Sequence, residues 1–162
     1  MQIRLIVFDV DGVLTDGTVL LLPCGDEARS VHFHDLDAVA AARRQGVATA
    51  VLSGEDTPGV QRVARRFGIS EVTWGAKDKL TALRELTNRL RIPMEETCYI
   101  GDADRDGPAL EAAGIGLAPS DATAAARAAA DHVLAARGGH GAVEEAMALL
   151  RRTSDRAGGG TR

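Results

Sequence analysis

The chain is 162 residues and 17.0 kDa, with 45% hydrophobic and 26% charged residues, which fits one globular domain and leaves no room for a second, substrate-closing one. Its net charge of −4 and 3% aromatic content exclude a basic nucleic-acid footprint and a base-stacking surface, so no nucleic-acid partner is expected. The two cysteines, Cys24 and Cys98, exclude a disulfide framework and a Cys-rich zinc site.

In chain order, residues 3–8 (IRLIVF) form a continuous, β-branched apolar run. Such a run reads as a parallel strand buried on both faces. Residues 12–34 lack a helical stripe. They contain Val19 to Leu22, a Pro-Cys-Gly-Asp turn and then Arg29 to Phe33, which predicts a β-hairpin projecting from the first strand. Further strands are predicted at 47–52 (VATAVL), 97–100 (TCYI) and 115–117. Between and after them, Val60, Val63, Ala64 and Phe67 form one helical stripe. Leu80, Leu83, Leu86 and Leu90 form another, and Val143, Ala146, Met147 and Leu150 a third. Gly46, Gly68 and Gly114 suit left-handed helix ends, while Pro58 and Pro108 suit first turns. The alternation predicts a single α/β domain, doubly wound around a parallel sheet, over residues 1–153. Residues 154–162, with a triple glycine, read as a disordered tail.

No apolar run reaches the ~18 residues of a membrane span. Asp9 interrupts the first run where a secretory leader needs a plain apolar core, so a soluble, cytoplasmic protein without a membrane partner is expected.

Ligands of open parallel sheets sit beyond the carboxyl ends of the strands. Asp9 and Asp11 follow the first strand, Ser53-Gly54 the second, and Gly101-Asp102 with Asp106 a later one, while Lys79 opens a helix between. Asp9 and Asp11, two apart, share a side in an extended segment, and two close carboxylates ionise together only with a cation or a shared proton. A hard divalent ion such as Mg²⁺ meets that need, with Asp102 as the third carboxylate. An aspartate can also attack phosphorus, a second can move the proton, and Ser53, the Gly54 N–H and Lys79 can hold the phosphoryl oxygens. Each piece alone reads as turn, cap or solvated charge; their order along successive strands is what points to phosphoryl transfer. His32 and His34 alternate on a predicted strand and read as polar residues sharing a face. Asp35 suits a helix cap, and Asp37 a substrate contact. The loop at Gly138-Gly139-His140-Gly141 lacks the Lys-Ser/Thr of a P-loop and reads as a substrate-side or subunit-contact loop.

Phe8-Asp9-Val10-Asp11-Gly12-Val13-Leu14-Thr15-Asp16-Gly17, with Ser53-Gly54, Lys79 and Gly101-Asp102-x-x-x-Asp106, resembles the motif set of the haloacid dehalogenase superfamily of aspartate-nucleophile phosphatases. Within it the chain is most similar, from Ile3 to about Leu150, to the small capless 3-deoxy-D-manno-octulosonate 8-phosphate phosphatases. The resemblance implies a Rossmann-like domain with a hairpin flap and no cap domain. It implies Mg²⁺ as cofactor, held by Asp9, Asp102 and the Asp11 backbone carbonyl. It makes Asp9 the nucleophile, Asp11 the general acid/base, Ser53, Gly54 and Lys79 the phosphate-binding set, and Asp106 a supporting residue. It also implies a homotetramer in which neighbouring chains wall each site, so that the hairpin does the covering that a cap would do.

The chain departs from that group's pattern at Ala103, at Glu55, at His140 where an arginine is usual, and at Leu36-Asp37-Ala38. His34, Asp37 and His140 are the candidate contacts to a small phosphorylated substrate. Other acidic sugar phosphates of the nonulosonate type, or a nucleoside or sugar phosphate of secondary metabolism, are the alternative substrates. A phospho-signalling receiver domain is the alternative of another class; it would carry its acceptor aspartate after a middle strand, where this chain has Ser53.

Overall fold

The structure is a computed structural model that describes residues 2–158. At its centre is β1 (Leu5–Phe8), whose residues are all buried. β1 pairs in parallel with β4 (Ala48–Leu52) on one side and β6 (Thr97–Ile100) on the other. The period-two alternation of a strand sends Ile6 and Phe8 to one face and Leu5 and Val7 to the other. The first pair joins a core with α1 (Phe33–Arg44), α2 (Pro58–Arg66) and α6 (Ala142–Gly158). The second joins a core with α3 (Lys79–Leu90), α4 (Gly107–Ala112) and α5 (Ala124–Ala129). The sheet continues through β7 (Ile115–Ala118) to the edge strand β8 (His132–Val133), and beyond β4 to the edge strand β5 (Glu71–Thr73). Its full order is β5-β4-β1-β6-β7-β8, every pair parallel. This is the expected doubly wound α/β domain, with no cap domain among the described residues.

The two edge strands, β5 and β8, carry no apolar run and were not expected. They are short and no more than half-buried, so no continuous hydrophobic signal marks them.

The hairpin is present as β2 (Leu20–Leu21) paired antiparallel with β3 (Glu27–Ala28). Its second arm is shorter than expected. Extended backbone at His32 caps α1, which starts at Phe33, so His32 and His34 straddle a helix start and do not alternate on a strand. α1 buries Ala38, Val39 and Ala42, a stripe too rich in alanine to stand out in sequence.

Asp35 caps a helix, but not its own. From inside α1 its carboxylate accepts from Gly141 N (3.2 Å) and Glu144 N (2.9 Å) at the start of α6. Gly46 and Gly68 adopt the left-handed conformation with φ of 85° and 69°, whereas Gly114 does not. At Gly114 a Cβ would collide with the Glu95 carbonyl, so close approach of two backbones explains that glycine. α6 runs to Gly158, into the segment expected as a disordered tail; once formed, a helix gains one backbone bond per added residue until glycines remove the preference. The rest of that tail, residues 159–162, lies outside the described residues.

No helix among the described residues is long and apolar enough to cross a membrane.

Candidate active site

The carboxyl ends of β1, β4 and β6 deliver Asp9, Ser53 and Asp102 to one rim. Asp9 continues the sheet ladder, its N–H donating to Ile100 O at 2.9 Å. Its carboxylate accepts from Val10 N at 2.7 Å and meets Lys79 Nζ at 3.0 Å.

Lys79 reaches Asp9 because Asp78 caps α3, accepting from Thr81 N at 3.0 Å, and so starts the helix at Lys79. The lysine is 1% exposed. Its Nζ donates to Leu52 O at 2.6 Å and lies 3.5 Å from Asp106 Oδ1. Asp106 is fully buried and its acceptors are committed. Oδ1 accepts from Tyr99 OH at 2.7 Å, and Oδ2 from Asp102 N and Ala103 N at 3.1 and 3.0 Å. Burial, then the Asp106 charge, pushes the Tyr99 phenol well above its ordinary value, which keeps it a donor.

Asp9, Asp102 and Asp106 each offer a carboxylate oxygen within 4.8 Å of the others. Burial pushes Asp9 up to about 6, against the pull of Lys79. Burial, followed by the charges of Asp9 and Asp106, pushes Asp102 up to about 7. The carboxylates are thus crowded together in a place that disfavours their charge, and a cation would relieve both effects. With Asp106 spent on Tyr99 and on backbone donors, the oxygens of Asp9 and Asp102 remain. This all-oxygen donor set fits a hard divalent ion such as Mg²⁺. Gly12, at φ 86°, makes the closeness possible, because a Cβ there would collide with the Asp102 carboxylate.

Asp11 sits in the same loop as Asp9 but has a different set of partners. Arg29, next to β3, grips it with two hydrogen bonds, Nε to Oδ1 at 2.8 Å and Nη2 to Oδ2 at 3.3 Å. Thr15 Oγ1 adds a third at 3.2 Å. The Arg29 side chain is only 5% exposed and also donates to Glu27 at 2.8 Å. Burial works against its charge, but the hydrogen bonds of Asp11 and Glu27 outweigh it and raise the guanidinium further.

Ser53 is buried, and its Oγ accepts from Glu55 N at 3.1 Å. Asp9, Asp11, Ser53, Gly54 and Asp102 line one cleft of about 260 Å³. The sequence-predicted set therefore converges, with Lys79 and Asp106 beneath the floor. Arg105 and Glu55 stand on the same wall of residues.

His34, Asp37 and His140 are not among the cleft's lining residues. His34 faces Glu144 at 3.4 Å, Asp37 is exposed on α1, and His140 Nδ1 lies 2.9 Å from Gly138 O in its own loop. Three residues of the site escaped the sequence reading: Tyr99, Arg29 and Arg105. Only Tyr99 carried a signal, since a tyrosine inside a buried apolar strand needs a partner for its hydroxyl.

An α/β sheet with this carboxylate rim defines a class, and comparison with known proteins agrees. The haloacid dehalogenase-like hydrolase family matches residues 25–114. The chain belongs to that family, and it is a phosphatase.

Within the family it is similar to 3-deoxy-D-manno-octulosonate 8-phosphate phosphatases KdsC. The Haemophilus influenzae protein is 36% identical over 149 residues, covering 92% of this chain and 83% of that one. The Escherichia coli K12 protein is 33% identical, covering 92% and 79%. Among solved structures, the Moraxella catarrhalis 3-deoxy-D-manno-octulosonate 8-phosphate phosphatase in complex with magnesium ion, phosphate ion and KDO superposes with a TM-score of 0.88. It is 35% identical, and the match covers 93% of this chain and 86% of that one. The cobalt-bound Haemophilus influenzae phosphatase superposes with a TM-score of 0.89 at 34% identity, covering 95% and 90%.

Proposed function

We propose that the chain hydrolyses a phosphorylated sugar acid, such as 3-deoxy-D-manno-octulosonate 8-phosphate, through an aspartyl-phosphate on Asp9. The observation that carries this reading is the buried contact of Asp9 with Lys79, 3.0 Å apart, on the floor of a carboxylate-lined cleft.

An Asp9 oxygen attacks phosphorus, and the ester P–O bond breaks. Asp11 gives its proton to the departing alkoxide. Asp11 then takes a proton from water, whose oxygen attacks the aspartyl-phosphate, releasing inorganic phosphate and restoring Asp9. Lys79, Ser53 and the Gly54 N–H hold the phosphoryl oxygens. Asp106, itself fixed by Tyr99, keeps Lys79 in place. Mg²⁺ would be held by Asp9, Asp102 and the Asp11 carbonyl, and supplies positive charge that offsets the crowding of carboxylates with phosphate.

The sugar-acid substrate and the need for Mg²⁺ are supported by the relatives' names and bound groups. A contact between chains, in a homotetramer by resemblance, is supported by Leu20, Leu21 and Phe33, which are 61%, 75% and 71% exposed on and beside the hairpin. A cytoplasmic location goes with this reading. Asp9→Asn tests the mechanism. It is expected to lower phosphatase turnover by roughly 10⁴-fold or more while leaving circular dichroism unchanged. Turnover that survives this change, or that survives EDTA, overturns the reading.

A further inference from the structure

Most of the charged side chains lining the cleft are acidic: Asp9, Asp11, Glu55 and Asp102. Arg105 is the one cation on its wall among the described residues. Its backbone lies between Ala103 and Asp106 in a 3₁₀ turn (Asp104–Asp106), and Asp106 is locked by Tyr99 OH and by the N–H groups of Asp102 and Ala103. The platform is therefore held on three sides, while Arg105 as a residue is exposed.

Among the described residues that guanidinium makes no hydrogen bond and no ion pair, although carboxylates line the same cleft. Asp11 is taken by Arg29, and Glu55 lies 3.4 Å from Lys77. Arg105 lies instead across Gly54, where a Cβ would stand 2.7 Å from its Nη1. The absence of a side chain at Gly54 leaves the space that the guanidinium fills, directly beside the candidate phosphoryl-holding loop.

The inner end of the cleft is already served by a buried cation, Lys79. A second, exposed cation on the outer wall addresses the part of the substrate that extends beyond the phosphoryl group. We propose that Arg105 is a specificity residue that receives a carboxylate on the leaving portion of the substrate, an inference that rests on the phosphatase reading above. A planar guanidinium binds a carboxylate through two parallel hydrogen bonds, which a neutral sugar hydroxyl cannot match. This assignment also answers the histidine at position 140. His140 stays in its own loop and is no part of the cleft lining, so the guanidinium of the cleft comes from Arg105, on the turn after β6.

The test is a matched pair of open-chain phosphomonoesters, 6-phosphogluconate and glucitol 6-phosphate, which differ in a carboxylate against a hydroxymethyl group at the end remote from the phosphate. The wild-type protein with Mg²⁺ is expected to prefer the acid in kcat/KM. Arg105→Leu is expected to lower the ratio of the two kcat/KM values by roughly 10- to 100-fold, mainly through KM for the acid, since a hydrogen-bonded charge is lost. Arg105→Lys, which keeps the charge but not the fork, is expected to recover part of the ratio. A wild-type ratio near one overturns the assignment, as does a ratio that Arg105→Leu leaves unaltered because both substrates suffer equally. No hydrolysis of either ester by the wild-type protein strikes instead at the phosphatase reading.

Discussion

Lys79 on the cleft floor and Arg29 beside the hairpin each hold an aspartate, and their surroundings could hardly differ more. Lys79 is enclosed by groups at the ends of β1 and β4 and by Asp106, with Leu52 O at 2.6 Å and Asp9 at 3.0 Å. Its position follows from the sheet, because β1, β4 and β6 cannot move without unpairing the core. Arg29 extends from a hairpin of two two-residue strands whose leucines face solvent. A hairpin of that size is marginal on its own. Asp9 is therefore placed by the whole fold, and Asp11 by one side chain on its least anchored element. The difference shows which aspartate is open to adjustment: Asp9 stands on a floor held by three paired strands, whereas Asp11 depends on an element that a substrate or a neighbouring chain can adjust.

The strongest way to break this comparison is Arg29→Ala. If Asp11 depends on the hairpin, kcat is expected to fall roughly 10- to 100-fold, part of the ~10²–10⁴ that a positioned proton donor contributes. KM is expected to change less, since Asp9, Ser53 and Lys79 stay in place. Steady-state kinetics on any accepted phosphomonoester reads both. An unchanged kcat would show that Asp11 positions itself.

A smaller effect sharpens the floor's side of the comparison. Asp9 near 6 and Asp102 near 7 both lie above the ordinary carboxylate value of 3.8, chiefly through burial. In the metal-free protein the folded state thus binds protons more tightly than the unfolded one. These groups therefore cost stability as pH rises from about 4 through about 7. The same protons compete with a cation for the same oxygens. Mg²⁺ affinity is expected to weaken about tenfold between pH 8 and pH 6, with proton uptake on metal loss. Calorimetric titration at the two pH values measures it, and a pH-independent affinity would mean that Asp102 is not a ligand.

Much of this was legible in sequence for a physical reason. A central parallel strand is buried on both faces, so Leu5–Phe8, Ala48–Leu52 and Thr97–Ile100 announce themselves as largely apolar runs. The catalytic candidates follow directly from the ends of those runs, so Asp9, Ser53 and Asp102 needed only the rule that ligands sit at carboxyl ends. Lys79 was marked by its place at a helix start. What stayed hidden depends on tertiary proximity. Arg29 reaches Asp11 across 18 residues of chain, and nothing in a hairpin strand distinguishes an arginine that grips an acid from a solvated one. Asp35 looked like a local cap and serves a helix more than a hundred residues away. β5 and β8 are edges, where the burial that writes strands into sequence is absent.

The smallest effect on the isolated fold tests the hairpin's side. Leu20 and Leu21 are 61% and 75% exposed, and neither belongs to the two buried cores. Replacing both with serine removes little packing within a chain, so denaturant unfolding of a dilute sample is expected to shift by no more than ~0.5 kcal/mol per site. If these leucines are instead buried between chains, the same double change releases monomers in sedimentation velocity. It also lowers activity at low protein concentration, because the hairpin that carries Arg29 loses its support. A variant that keeps the wild-type sedimentation coefficient and activity would place the subunit contact elsewhere. A loss of several kcal/mol in the monomer would mean that the hairpin is as firmly built into the fold as the floor is.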